Sequence, residues 1–281
     1  MNTVAAGKSR HILITGASGG LGNALALVYA APGTHITLWG RNRERLERVR
    51  EACARKGAST AIIEEDTRSF DRCRGIVREL NEHSPVDMAI LNAGVSSGVL
   101  PDGRPEPVED ACRTIEVNAT GNINIAGALP EEMLLRNGHL VFICSLAALY
   151  PLPSSPAYSA SKVALSWYAR ALGMQLSGST VRISVVYPGY VESPMSRRLS
   201  GTQPFCWSAS RAASHIAERL EKGADSIVFP HTLALGMRLL HFLPRPVAAF
   251  FLKAFSFTVA PDSESPEMKT VSTHREPPGD A

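Results

Sequence analysis

The stretch "HILITGASGGLG" (residues 11–22) decides the fold. Its first part, "HILIT" (11–15), is apolar without alternation, as a strand buried on both faces should be. "TGASGGLG" (15–22) follows at once and leads into "GNALALVYA" (22–30), a stretch of helical length. Gly16, Gly20 and Gly22 therefore fall where a strand turns tightly into a helix. Without side chains there, a pyrophosphate can approach backbone N–H groups and the positive end of the helix. The spacing G-x-x-x-G-x-G differs from the ordinary G-x-G-x-x-G fingerprint. A glycine cluster alone could be no more than a tight turn, but its place between strand and helix predicts a nucleotide site.

The same alternation continues to about residue 230. Apolar runs "HITLWG" (35–40), "TAIIEED" (60–66), "VDMAILNAG" (86–94), "GHLVFICS" (138–145), "VRISVVYPG" (181–189) and "SIVFP" (226–230) are separated by helical stretches such as "RNRERLERVREACARKG" (41–57) and "SASKVALSWYARALGMQLSG" (159–178). This predicts an α/β fold, a Rossmann-type doubly wound parallel sheet of about seven strands with helices on both faces. Residues 1–230 are read as one domain. Residues 231–260 are strongly apolar, interrupted by Arg238, His241, Arg245 and Lys253, and Pro244 and Pro246 divide them into two helical pieces. Neither piece reaches the roughly 20 apolar residues of a membrane span. The expectation is an apolar extension packed on the domain or a partner subunit, with a membrane surface as the alternative contact for 232–258. Residues 261–281 are polar and proline-rich and are predicted to be a disordered tail.

Composition narrows the class. The chain has 281 residues, 44% hydrophobic and 20% charged, with a net charge of +3, which does not argue for nucleic acid. Arg43, Arg45, Arg48 and Arg50 alternate with Glu44, Glu47 and Glu51, the pattern of a solvated helix face. The five cysteines are scattered and odd in number, which points away from a disulfide framework or zinc site and toward a reducing, cytoplasmic compartment. No histidine pair has metal-ligand spacing, so no metal is expected. The N-terminal residues lack the apolar core of a signal peptide.

The second strand discriminates between cofactors. About 20 residues past the glycines, an acid would accept hydrogen bonds from a free ribose 2′-hydroxyl. Here "LWGRN" places Gly40 and Arg41 at the strand end. A guanidinium can clamp a 2′-phosphate through parallel hydrogen bonds, so NADP(H) is expected in preference to NAD(H).

"TGASGGLG", "LNAG" (91–94), "EVNATG" (116–121), "CSLAAL" (144–149), "YSASK" (158–162) and "YPGYVESPM" (187–195) occur in the order of the short-chain dehydrogenase/reductase family. Over roughly residues 9–230 the chain resembles that family; the long apolar extension departs from it. The resemblance implies a catalytic tetrad of Asn118, Ser145, Tyr158 and Lys162. Tyr158 would be general acid in reduction and base in oxidation, its pKa lowered by the Lys162 ammonium. Ser145 would bond the substrate oxygen, and Asn118 would position a water that links Lys162 to solvent. For the cofactor it implies Gly16, Ser18, Gly19, Gly20, Leu21 and Gly22 at the pyrophosphate and Asp66, at the end of the third strand, at adenine. Asn92, Ala93 and Gly94 would line the adenosine ribose, Tyr158 and Lys162 the nicotinamide ribose, and Pro188, Gly189 and Val191 the nicotinamide. It also implies a homodimer or homotetramer.

The loop 191–207 and "LAALYPLP" (146–153) should form a substrate pocket. Met195, Leu199, Phe205 and Trp207 would give it apolar walls, and Arg197 and Arg198 a basic rim. The expected activity is reduction of a hydrophobic 3-ketoacyl or lipid-like carbonyl. The alternatives are oxidation of a steroid-, polyol- or sugar-type alcohol, or a non-catalytic nucleotide-binding sensor or scaffold.

Overall fold

The run at 11–15 forms β1 (Arg10–Thr15), and the next two apolar runs form β2 (Thr34–Gly40) and β3 (Ser59–Glu64). The computed structural model of the protein describes residues 10–129, 133, 137–253 and 256–261. Apart from Pro261, the predicted tail lies outside the described residues. Beyond β3 come β4 (Met88–Leu91), β5 (His139–Ile143), β6 (Arg182–Pro188) and β8 (Ser226–Phe229). These seven strands pair in parallel in the order β3-β2-β1-β4-β5-β6-β8. The chain moves outward from β1 through β2 and β3, then crosses back to β4. That reversal leaves a crevice beyond the carboxyl ends of β1 and β4, where ligands bind in sheets of this kind.

Alternate residues of each strand enter different cores, which explains why the strands are apolar throughout. Ile12 and Ile14 pack with α1 (Gly20–Tyr29), α2 (Arg43–Ala54) and α7 (Ala209–Glu221) on one face. Leu13 packs on the other face with α3 (Phe70–His83), α5 (Gly121–Ala128) and α6 (Pro156–Gln175). All three β1 side chains are at most 1% exposed. The charge run predicted as a solvated face holds surface ion pairs, Arg43–Glu47, Arg48–Glu44 and Arg50–Glu47.

Helix α6 starts earlier than its sequence pattern suggests, with Pro156 in the first turn, where a missing N–H costs nothing. A carboxylate oxygen of Glu106 accepts from the Ala157 N–H at 3.1 Å and so completes this helix start. Helix α4 (Val108–Ile115) runs into α5 through a π-helical turn at Glu116–Thr120. Such turns interrupt helices often at functional positions.

The extension forms α8 (His231–Leu239), a short turn at Leu240–Phe242, α9 (Arg245–Lys253) and β9 (Phe257–Val259). β9 pairs antiparallel with β7 (Leu199–Gly201), a strand inside the 191–207 loop. Ala234 and Met237 enter the second core, and Ala248, Phe257 and Val259 are buried. Burying a Met, Phe or Val side chain is worth about 1.5–3 kcal/mol, enough to fasten a segment with few ladder bonds. His241 Nε2 bonds the Leu149 carbonyl at 2.7 Å, and its ring meets Tyr150 edge-on.

Candidate active site

A cleft of about 970 Å³ opens above the β1/β4 reversal. Its floor is the glycine turn. Gly16 has φ +64°, and a Cβ there would lie 2.9 Å from Ala93 Cα. A Cβ on Gly22 would lie 2.2 Å from the Gly16 carbonyl oxygen, so only glycine lets the first turn of α1 seat on the turn before it. Helix α1 begins at Gly20 with no side-chain cap, its N-cap being Gly19. The cradle therefore fits a nucleotide pyrophosphate, with Ser18 and Leu21 also on the cleft wall.

Thr15 Oγ1 accepts from the N–H groups of Asn92 (2.9 Å) and Ala93 (3.0 Å), and Asn92 Nδ2 donates to the Thr15 carbonyl (3.1 Å). Asn122 Nδ2 donates to the carbonyls of Ala93 (2.9 Å) and Asn118 (2.8 Å). These bonds tie the ends of β1 and β4 to the π turn. Neither Thr15 nor Asn122 was expected at the site. Asn122 lies four residues after Asn118, on the same helical face, which is the signal that could have found it.

Asn118 sits in the π turn and is fully buried. Its Oδ1 accepts from the Val95 N–H at 2.7 Å, while Nδ2 donates to the Val95 carbonyl (2.9 Å) and Ser161 Oγ (3.0 Å). Lys162 is buried and donates to the Ile143 carbonyl at 3.0 Å. Gly94 lies between them: a Cβ there would be 3.2 Å from Asn118 Oδ1 and 3.6 Å from Lys162 Nζ. Ser145 caps a short turn, its Oγ accepting from the Ala147 N–H at 3.1 Å, and it lines the cleft together with Tyr158. Lys162 Nζ stands 5.8 Å from the centre of the Tyr158 ring. The four residues, from three separate segments, thus meet at one end of the cleft, three of them (Ser145, Tyr158 and Lys162) lining it.

One electrostatic expectation needs correcting. Burial is the dominant influence on Tyr158 and pushes its phenol above the ordinary value, with the Ser145 hydroxyl pulling the other way. Burial also lowers Lys162. Burial thus favours the uncharged form of each group. Cys144 next to Ser145 is a core thiol, pushed up to about 12 by burial.

At the other end of the cleft stand Arg41 and Arg45. Arg45 was read as part of the solvated face; it instead reaches the cleft from the first turn of α2, with Arg41 just before that helix. Asp66 lies two residues beyond β3 rather than at its end. Partial burial works to raise its pKa, but hydrogen bonds from Arg68 Nε (3.1 Å) and the Arg68 N–H (3.0 Å) hold the carboxyl low. Arg41 Nη1 is 3.9 Å from the same carboxylate. Pro188, Gly189 and Val191 line the opposite wall. The Gly189 N–H is fixed on the Phe229 carbonyl at 2.7 Å, and Val191 bridges to Trp207.

The substrate end differs from expectation in three ways. Met195, Leu199 and Phe205 line the cleft, but Trp207 does not: it stacks on Phe229 at 4.8 Å beside His215. Arg197 is absent from the walls, whereas Arg198 lines the cleft as expected while donating to the carbonyls of Ala260 (2.9 Å) and Ser96 (3.3 Å). Tyr190, Leu233, Met237, Leu240 and Leu252, which the sequence did not place, complete an apolar chamber.

A family profile described as short chain dehydrogenase matches residues 10–204. The chain belongs to the short-chain dehydrogenase family. It is 32% identical over 240 residues to an uncharacterized oxidoreductase of Myxococcus xanthus (strain DK1622), covering 85% of this chain and 94% of that one. It is also 32% identical over 218 residues to 11-beta-hydroxysteroid dehydrogenase-like 3 of Arabidopsis thaliana, covering 77% and 68% of the two chains. A short chain dehydrogenase/reductase from Burkholderia phymatum, solved in complex with NAD, shares the fold with a TM-score of 0.74 at 22% identity, over 84% of this chain and 94% of that one. The short-chain dehydrogenases are oxidoreductases that use a nicotinamide dinucleotide, and the cradle described above has the shape for one.

Proposed function

We propose that the protein reduces the carbonyl of a hydrophobic substrate to an alcohol, with NADP(H) as its cofactor. The observation that carries this reading is the meeting of Ser145, Tyr158 and Lys162 at the junction of a nucleotide cradle and an apolar chamber. A neutral phenol is the form that can donate a proton, which reduction requires and oxidation does not.

When bound, the reduced nicotinamide supplies a hydride to the carbonyl carbon. Tyr158 gives its hydroxyl proton to the carbonyl oxygen, and Ser145 donates a hydrogen bond to the same oxygen as its charge develops. Lys162, seated on the Ile143 carbonyl, binds the adjoining ribose and stabilises the phenolate once the proton has left. Asn118 holds the π turn open beside Lys162 and serves the return of the proton from solvent. Asp66, Asn92, Ala93 and Gly94 take the adenosine half, and Pro188, Gly189 and Val191 the nicotinamide.

Arg41 and Arg45 favour a 2′-phosphate. The nearby carboxylate of Asp66 is already engaged by Arg68, which leaves the Arg41 side of the cleft cationic. The five free thiols, two of them exposed, suit a reducing compartment such as the cytoplasm. Assembly into a homodimer or homotetramer is part of the same proposal.

The test is consumption of NADPH and NADH by the purified protein across a panel of aliphatic, cyclic and 3-ketoacyl carbonyls. We expect kcat/KM to favour NADPH, and R41D to reverse or abolish that preference. Equal use of both cofactors by wild type, unchanged by R41D, would remove the assignment to Arg41. Binding of NADPH without turnover of any carbonyl would point to a sensor.

A further inference from the structure

Seven of the fourteen exposed large apolar side chains among the described residues lie between Leu235 and Phe251. Phe242 is 83% and Phe250 75% exposed, values that water-facing phenylalanines rarely show without a partner. Every charged side chain in the surrounding stretch, residues 226–261, is basic: Arg238, Arg245 and Lys253, with His231 and His241 and no Asp or Glu. Three of the exposed apolar residues, Leu239, Leu243 and Phe251, also line the catalytic cleft. The patch is therefore the rim of the cleft as well as an outer surface.

We infer that α8, the turn at Leu240–Phe242 and α9 dock on an anionic lipid surface and admit an apolar carbonyl substrate from it into the cleft. The inference rests on the reductase reading for its substrate but not for its surface chemistry. No helix among the described residues is long and apolar enough to cross a membrane. Two short helices with apolar tips and basic flanks instead suit the interface plane. A second copy of the chain is the poorer occupant. A two-fold contact would set Arg238, Arg245 and Lys253 against their own copies, with no acid in the segment to answer them. Anionic headgroups answer all three, at roughly a fivefold gain in partitioning for each. The anchors of the segment, Ala234, Met237, Ala248 and Phe257, face inward, so the outward side chains are free to insert.

The experiment is vesicle flotation of the full chain with phosphatidylcholine alone and with phosphatidylcholine containing 30% phosphatidylserine, beside turnover of a small water-soluble ketone. The expected result is flotation with the anionic vesicles only, lost in high salt. F242S/F250S should reduce that binding at least tenfold, and R245Q/K253Q should reduce binding to the anionic vesicles roughly 25-fold. Phe242, Phe250, Arg245 and Lys253 lie outside the cleft walls, so both variants should keep wild-type turnover of the soluble ketone. Wild type that floats with neither vesicle, or equally with both, would overturn the inference. So would a concentration-dependent dimer that F242S/F250S converts to monomer while wild type ignores vesicles. Flotation without turnover of any ketone would sink the reductase reading and leave the docking surface standing.

Discussion

At the lower edge of the sheet, where the strands begin, His11 donates from Nδ1 to the Ser84 carbonyl and meets Thr37 Oγ1 at 2.8 Å through Nε2. Nearby, His139 Nε2 lies 2.8 Å from Ser184 Oγ, which itself donates to the Ala224 carbonyl, so the imidazole is the donor. At the upper edge, where the strands end, Ser145 accepts from the Ala147 N–H and Lys162 donates to the Ile143 carbonyl, but these two and Tyr158 border a cleft. Both edges bury polar groups of similar type. The lower ones bond to one another and to backbone carbonyls away from the cleft, whereas the upper ones face it. Hydrogen bonding alone therefore does not mark a functional site; a bonded group that faces a cleft does.

Tyr158→Phe should give the largest separation of the two edges. Loss of a general acid costs about 10²–10⁴ in rate. We expect kcat to fall roughly a thousandfold, with NADPH affinity and melting temperature near wild type; a drop of less than tenfold would show that the upper edge does not deliver the proton. Gly22→Ala forces a Cβ toward the Gly16 carbonyl. Overpacking of this kind costs about 1–3 kcal/mol, and NADPH affinity measured by fluorescence should weaken by roughly one to two orders of magnitude. Normal binding would mean that the turn has slack.

The lower edge should answer to acid instead. Burial, with Arg182 and Arg10 nearby, lowers His139 from its ordinary 6.5 to about 3, and burial also lowers His11. Between those values the unfolded chain binds a proton that the folded chain refuses. The neutral imidazole thus leaves stability intact above pH 6.5 and erodes it as the pH falls toward 3. At pH 4.5 the loss from His139 alone should be on the order of 2–3 kcal/mol. His139→Gln keeps a donor near Ser184 and cannot titrate; urea denaturation should show a flatter acid limb with turnover at pH 7 unchanged. An identical acid limb would assign acid lability elsewhere. The smallest effect is expected from Arg198→Ala, which frees Ser96 and Ala260. About a fivefold rise in ketone KM, with NADPH KM unchanged, would show that the contact shapes only the substrate end.

What the sequence disclosed follows the same division. The glycine turn, the tyrosine–lysine pair and the continuous strands are local patterns, set by backbone geometry within a few residues. Arg45 was hidden because it shares a charge run with Arg43, Arg48 and Arg50, whose partners lie on the surface. Trp207 resembled a pocket wall, yet aromatic stacking on Phe229 draws it into the core. β7 and β9 are three residues each and come from distant parts of the chain, so no period announces them. The shift in Tyr158 depends on burial that only packing reveals.

The β7–β9 pair has a consequence for engineering. The loop at 191–207 cannot be exchanged alone, because its strand takes register from Phe257–Val259 and its Arg198 closes on Ala260. A graft from a relative that lacks the extension would leave one bare strand edge and a chamber missing a wall. The cleft wall in this protein is written twice along the chain, and a chimera that keeps it has to carry both passages together.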